Sequence, residues 1–550
     1  MRGTMMDFPL TLQHLFERGP QLYPDREIVT GGESGPSRLT YGEWGRRVHR
    51  LSNALRDSLG LRPGERVATF AWNHARHLEL YFAVPMLGSV LHTLNIRLFH
   101  DQITYIVNHA ADRFIFVDRS LLPVVRKLQP TFTSVERIVV MDDGGDSDTG
   151  DALDYEALLE RGAEYCEFPR LDENDAAMMC YTSGTTGHPK GVAYSHRALA
   201  LHSFGVCHAD TIAVSERDTV MAIVPMFHAN AWGLPYACTL VGAKQVFPGS
   251  SLHPDRVLGL IQSERVTLAA GVPTVWIGCL PLLQAGKYDA SSVNRVVVGG
   301  SAAPRGLIQA YDQLGMPILH AWGMTEMTPI GTIARLKAEL TSAPPETQLT
   351  YRAKQGLVVP GVELRVLDSE GREVPRDGKT MGELVVRGPW VTGSYYNDER
   401  SAASFTPDGW FRTGDIVTID AQGYVEIADR AKDVIKTGGE WISSVALENA
   451  LMAHPNVQEA AVIAVPDERW SERPMACVVP RPEARDTIRT EELTEYLAQS
   501  FPKWWLPDRY LIVEEIPKTS VGKFDKKALR QQHAAAATGA RQDVPAAVTL

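Results

Sequence analysis

Cysteine is scarce: Cys166, Cys180, Cys207, Cys238, Cys279 and Cys477 are the six among 550 residues. They form no C-x-x-C pair and have no histidine at ligand spacing, so neither a disulfide framework nor a zinc site is expected, and a reducing cytoplasm suits the chain. No apolar run approaches the ~18 residues of a membrane span, so no integral membrane segment is expected. The N-terminal stretch meets Asp7 and Glu17 before any long apolar run, which does not read as a signal peptide. Positive charge is in deficit, with 55 Lys and Arg against 66 Asp and Glu and a net charge of −11. Without a basic excess to neutralise phosphates, no nucleic-acid partner is expected. No repeat recurs at a fixed period.

What is present reads as an ordinary globular protein. Hydrophobic residues make up 44% and charged ones 22%, which excludes disordered and fibrous classes. The length suits several cores, at about 100–200 residues per domain. Short apolar runs recur through the first four fifths: 67–72, 114–117, 138–141, 220–225 and 295–300. Helix-like segments such as 41–59 and 196–206 separate them. Strands alternating with helices predict an α/β fold with largely parallel sheets.

Near residue 410 the texture changes. Two strand-like segments, 416–420 and 424–427, flank Ala421-Gln422-Gly423 and read as a hairpin. A charged segment at 429–434 follows. Beyond it come a helix-like stretch at 445–453, stopped by Pro455, and a β-like run at 459–465. The expected organisation is a large N-terminal α/β domain over 1–430, a linker at 429–434, and a small α+β domain over 435–532. The Ala-rich tail at 533–550 has no apolar periodicity and is expected to be disordered.

The densest chemical signal is the string Tyr181-Thr182-Ser183-Gly184-Thr185-Thr186-Gly187-His188-Pro189-Lys190-Gly191. Its glycines let backbone approach a ligand closely, while four hydroxyls and one ammonium offer donors to phosphate oxygens. It lacks the residue order of a Walker loop. Further motifs follow: Pro225-Met-Phe-His228-Ala-Asn-Ala-Trp232, Gly299-Gly-Ser-Ala-Ala-Pro304, Ala321-Trp-Gly-Met-Thr-Glu326, Trp410-Phe-Arg-Thr-Gly-Asp415, Asp429-Arg-Ala-Lys-Asp433 with Lys436-Thr-Gly-Gly-Glu-Trp441, and Pro517-Lys-Thr-Ser-Val-Gly-Lys523. Together and in this order they resemble the adenylate-forming superfamily, over about residues 10–530. The pattern is most similar to the branch of long- and medium-chain fatty acyl-CoA synthetases.

The resemblance implies an AMP-forming acid–thiol ligase that uses ATP, Mg²⁺ and CoA. A carboxylic acid is joined to AMP with loss of pyrophosphate; the small domain then rotates about 429–434, and CoA thiol displaces AMP. Joining two anions calls for positive charge and a divalent metal. The resemblance assigns Thr182 and Glu326 to the metal and Lys523 to the adenylation step. To the nucleotide it assigns Ser183, Gly184, Thr185, Thr186, Lys190, Trp232, Gly300, His320, Ala321, Trp322, Gly323, Thr325, Asp415, Arg430, Lys432 and Lys436. Asp415 offers acceptors spaced for the ribose diol. The family commonly carries Tyr where Trp322 stands, so base stacking survives the change but a phenolic hydrogen bond does not.

His228, Trp232 and Trp441 fall at acyl positions, with the Trp441 indole as a gate, while Gly438, Gly439 and Glu440 fall near CoA. A carboxylate nucleophile needs no base, so no acid–base role goes to His228. Small or apolar residues at Gly271–Thr274 and Ala302–Pro304 favour an apolar acyl tail, expected to be medium- or long-chain. Short-chain, aryl and thioether acids, and an acceptor other than CoA, stay open. Some resembled enzymes form homodimers, and an apolar substrate leaves weak peripheral membrane association open.

Overall fold

The computed structural model describes residues 1, 3–182, 188–438, 440–467, 469–518 and 524–537, with the backbone alone over 533–537. The chain divides into two compact units. One comprises Met1–Leu364, Val386–Phe411 and Gln422–Val425; the other comprises Arg365–Val385, Arg412–Ala421 and the chain from Glu426 on.

The larger unit contains two sheets. The seven-stranded sheet runs in the order Leu153–Asp154, Arg137–Met141, Asp112–Asp118, Arg66–Phe70, Val90–Thr93, Ala176–Tyr181, Gly191–Ser195. Its strands are parallel except for the final pair, where Ala176–Tyr181 and Gly191–Ser195 are antiparallel. The nine-stranded sheet has a parallel centre built from Glu27–Thr30, Lys244–Phe247, Thr219–Ala222, Leu268–Gly271, Arg295–Val298 and Ile318–Gly323. Antiparallel strands close both edges. All five apolar runs picked out above are strands of these sheets. Their near-continuous apolar character follows from burial on both faces, as parallel sheets require.

Local chemistry sets the helix starts. Thr40 begins the helix Tyr41–Asn53 with a capping box: its hydroxyl accepts the Glu43 N–H at 3.2 Å, and the Glu43 carboxylate accepts the Thr40 N–H at 2.8 Å. Ser195 caps His196–Cys207 without the return bond, its hydroxyl accepting the Ala198 N–H at 3.1 Å.

The smaller unit holds most of a four-stranded sheet in the order Glu363–Leu367, Gly382–Arg387, Phe411–Ile419, Val425–Arg430. Its membership is therefore not set by one cut near 430, because strands before that point pair with the strand that reaches it. A second sheet pairs Val457–Asp467 with Ser471–Pro480 over ten register positions. Side-chain alternation explains its apolar run. Ala460 and Val462 face Leu447, Leu451, Leu493 and Leu497, whereas Ala461, Ile463 and Val465 face Ile516 and Leu529. Both faces are covered, so no polar position interrupts the strand.

The final helix, Lys526–Ala537, enters the tail expected to be disordered. The run of alanines carries it, since alanine has the highest intrinsic helix propensity. Residues 538–550 lie outside the described residues. Among the described residues no helix is long and apolar enough to cross a membrane.

Candidate active site

The phosphate-loop string connects two antiparallel strands. Ser183, Gly184, Thr185 and Thr186 lie outside the described residues, but the neck of the connection is defined. Thr182 N–H donates to the Lys190 carbonyl at 2.9 Å, and Lys190 N–H donates to the Thr182 hydroxyl at 3.3 Å. The Lys190 ammonium sits over the Tyr395 ring, 4.3 Å from its centroid.

Glu326 is buried in a short turn, Thr325–Met327, at the end of the strand Ile318–Gly323. It is not a solvated surface acid. Tyr395 OH donates to its Oε1 at 2.7 Å, and the Glu326 carbonyl accepts the Thr392 N–H at 2.7 Å. Tyr194 OH holds the neighbouring Thr325 carbonyl at 2.7 Å. Glu326 and Thr182 offer hard oxygen donors of the kind Mg²⁺ takes, few in number, as suits an ion that also binds substrate phosphates.

The adenine-side candidates line up along adjacent strand ends. Gly300 takes a left-handed φ of 80° just after Arg295–Val298, and a Cβ there would meet the Val272 side chain at 3.3 Å. Trp232 packs against Gly299, where a Cβ would stand 3.4 Å from the indole. Ala321, Trp322 and Gly323 end the neighbouring strand. A Cβ on Gly331 would come within 2.5 Å of the Trp322 ring, so a side chain there would displace the indole.

His320 is buried. Its Nε2 accepts the Ala303 N–H at 3.3 Å, which leaves Nδ1–H to donate to the Ala353 carbonyl at 3.0 Å. Burial lowers its pKa and keeps the ring neutral. Both nitrogens are thus engaged within the protein.

Trp232 ends a turn in which Ala229, Asn230, Ala231 and Trp232 all have left-handed backbone, φ 45–58°. Each such non-glycine residue costs roughly 1–2 kcal/mol, and strain of this kind gathers at functional sites. His228, exposed, begins the turn.

In the smaller unit, Arg430 Nε meets the buried Asp415 carboxylate at 3.0 Å. The pairing of Phe411–Ile419 with Val425–Arg430 brings these two nucleotide candidates together. Lys432 and Lys436 are exposed, and Lys436 N–H donates to Glu472 at 2.8 Å. Trp441, half-buried, pairs with Lys436 across a hairpin, and Glu440 pairs with Thr437. Gly438 has φ 59°, and a Cβ on it would press the Trp470 ring at 2.9 Å. Gly439 and Lys523 lie outside the described residues. Sequence reasoning missed Tyr395, Tyr194 and Trp470. The only trace of Tyr395 is the aromatic pair at 395–396, which by itself names no chemistry.

Residues 16–396 match the family described as AMP-binding enzyme, and residues 446–523 match its C-terminal domain. The chain belongs to the AMP-binding enzyme family. As an AMP-forming acyl-CoA ligase, this AMP-binding enzyme takes ATP and CoA as substrates. It is 50% identical to a long-chain-fatty-acid–CoA ligase of Thermus thermophilus, over 96% of this chain and 97% of that protein. It is 44% identical to a 3-methylmercaptopropionyl-CoA ligase of Ruegeria pomeroyi, over 98% of this chain and the whole of that protein. The fold is that of the adenylate-forming enzymes. The anthranilate CoA ligase AuaEII, solved with anthranoyl-AMP, superposes with a TM-score of 0.82 at 27% identity, covering 96% of this chain and 99% of that one.

Proposed function

We propose that this AMP-binding enzyme activates a medium- or long-chain fatty acid as its CoA thioester. Half the residues are shared, at near-full length, with a long-chain-fatty-acid–CoA ligase, and that similarity carries the reading. The apolar wall formed by Trp232 against Gly299 supports it. A thioether acid is the second reading, favoured by the similarity to the 3-methylmercaptopropionyl-CoA ligase.

In this reading Lys190 and the hydroxyls of the phosphate loop bind the triphosphate. Glu326 and Thr182 hold Mg²⁺, which when bound offsets phosphate charge and eases loss of pyrophosphate. Trp322 stacks on the base, and Asp415 with Arg430 and Lys432 receives the ribose side. The substrate carboxylate attacks the α-phosphate beside Lys523 to give acyl-AMP. Residues 435–532 then turn about 429–434, bringing Gly438, Gly439 and Glu440 toward CoA, whose thiol attacks the acyl carbon and releases AMP. Because AMP leaves readily, the second step depends mainly on placing the thiol. The free cysteines support a cytoplasmic setting. The resemblance supports a homodimer, which light scattering of the purified chain tests.

The deciding measurement is AMP release with ATP and Mg²⁺ over carboxylic acids from C3 to C18, plus aryl and thioether acids, with and without CoA. CoA-dependent release centred on C8–C18 is expected. A maximum on the thioether acid moves the assignment to the second reading, and acyl-AMP formation indifferent to CoA removes the thioester step. Trp441→Ala is expected to shift the preferred chain length while changing ATP affinity less than twofold. If only ATP affinity moves, Trp441 belongs to the nucleotide site and is no acyl gate.

A further inference from the structure

Glu326 and Lys190 carry opposite charges and are assigned above to one nucleotide site. Two such groups in a partly buried pocket attract each other, and an ion pair between them would tie up both charges that the triphosphate and its metal need. Tyr395 touches both. Its hydroxyl donates to Glu326 Oε1 at 2.7 Å, and its ring face carries the Lys190 ammonium 4.3 Å from the centroid. Lys190 makes no ion pair with a carboxylate among the described residues. A protonated phenol can serve both groups at once, donating in its plane and presenting a negative face to a cation.

Tyr395 is itself held in place. Its N–H donates to Ser401 Oγ at 3.0 Å, and the adjacent Tyr396 N–H donates to the Gly191 carbonyl at 2.8 Å. Upstream, Thr392 binds the Glu326 backbone, and the Thr328 hydroxyl donates to the Trp390 carbonyl at 2.8 Å. The segment 390–396 is therefore laced to the Glu326 turn on one side and to the foot of the phosphate loop on the other.

We propose that Tyr395 is a positioning residue of the nucleotide site: its hydroxyl orients Glu326 and its ring face holds Lys190 apart from that carboxylate, so that each charge stays available to the triphosphate and its metal. This rests on the assignment of Glu326 and Lys190 to that site.

Tyr395→Phe keeps the ring and removes the hydroxyl, whereas Tyr395→Leu removes both. ATP binding to the full-length protein is titrated by calorimetry in EDTA and in excess Mg²⁺, and pyrophosphate exchange is followed across Mg²⁺ concentration. The Phe variant is expected to keep metal-free ATP affinity and to need about tenfold more Mg²⁺ for half-maximal exchange, the scale of one charge-assisted hydrogen bond. The Leu variant is expected also to lose about tenfold in metal-free ATP affinity, because the ammonium turns to Glu326.

Wild-type Mg²⁺ dependence in the Phe variant overturns the proposal. So does a uniform fall of every parameter in the Phe variant with a lowered melting temperature, which marks a merely structural role. If the Leu variant does not fold, the Mg²⁺ dependence of the Phe variant decides alone. Glu326→Gln separates this from the underlying assignment. Should it bind Mg·ATP and exchange pyrophosphate like the wild type, the site assignment falls; should it lose exchange while Tyr395→Phe behaves as wild type, only the role of Tyr395 falls.

Discussion

Replacing Lys523 by alanine is expected to lower acyl-adenylate formation by about 10²–10³-fold, the usual scale for removing one preorganised group that meets developing charge. Thioester formation from supplied acyl-AMP and CoA should change little. The asymmetry follows from the chemistry. In the first step a carboxylate approaches an α-phosphate, both anionic, and a point charge between them offsets the repulsion. In the second step the acyl group is already activated and the thiol needs mainly position. On either side of the motif, Lys518 and Phe524 form an antiparallel bridge, and Asp525 N–H donates to the Pro517 carbonyl at 2.7 Å. Single-turnover assays of the two half-reactions check this, and equal loss in both refutes an adenylation-specific role.

The second large effect is expected just beyond that motif, at Lys526. Its ammonium is buried and donates to Glu448 Oε1 and Ser444 Oγ, both at 2.7 Å. Ser444 in turn donates through its N–H and hydroxyl to Asp429, the first residue of the linker segment. Glu448 also accepts the Val462 N–H at 2.7 Å. This network ties the linker, the helix Ser444–Met452 and the start of the final helix together. Lys526→Met leaves Glu448 buried without its cation, at a cost of about 3–5 kcal/mol.

The loss should depend on pH. Burial raises Glu448 to about 7, above its ordinary 4.5, with Lys526 opposing the shift. The folded state therefore holds a proton that the unfolded chain has released, and this group's contribution falls as pH rises from about 4.5 to 7. Without Lys526 the carboxyl is pushed higher still, so the variant should lose more stability at pH 8 than at pH 5.5. Exchange of the Val462 amide reports this unit directly, which matters because a chain of two units need not unfold in one step. Equal loss at the two pH values would show that Glu448 carries no charge in the fold.

The sequence by itself determined the family, the α/β class and several of the central strands. Runs such as 114–117 and 138–141 are apolar throughout because parallel strands are covered on both faces, and that need is written in consecutive residues. The motifs were legible for a related reason. A loop that binds phosphate must be rich in glycine and hydroxyls within a few positions, so Thr182 to Lys190 announces its chemistry locally.

What only the tertiary structure decided is which side chains meet across long separations. Tyr395 touches Glu326 and Lys190 because segment 390–396 returns to strands far from it in sequence, and no local pattern encodes that return. His320 could be placed beside the nucleotide from its motif, yet its two nitrogens were claimed by Ala303 and Ala353, which the folded neighbourhood alone sets. The left-handed turn at 229–232 was invisible for the same reason. Alanine, asparagine and tryptophan disfavour that backbone, and only surrounding packing holds them there. Local pattern fixes the kinds of element and chemistry a chain can carry, whereas the pairing of distant groups is fixed by strand order and packing.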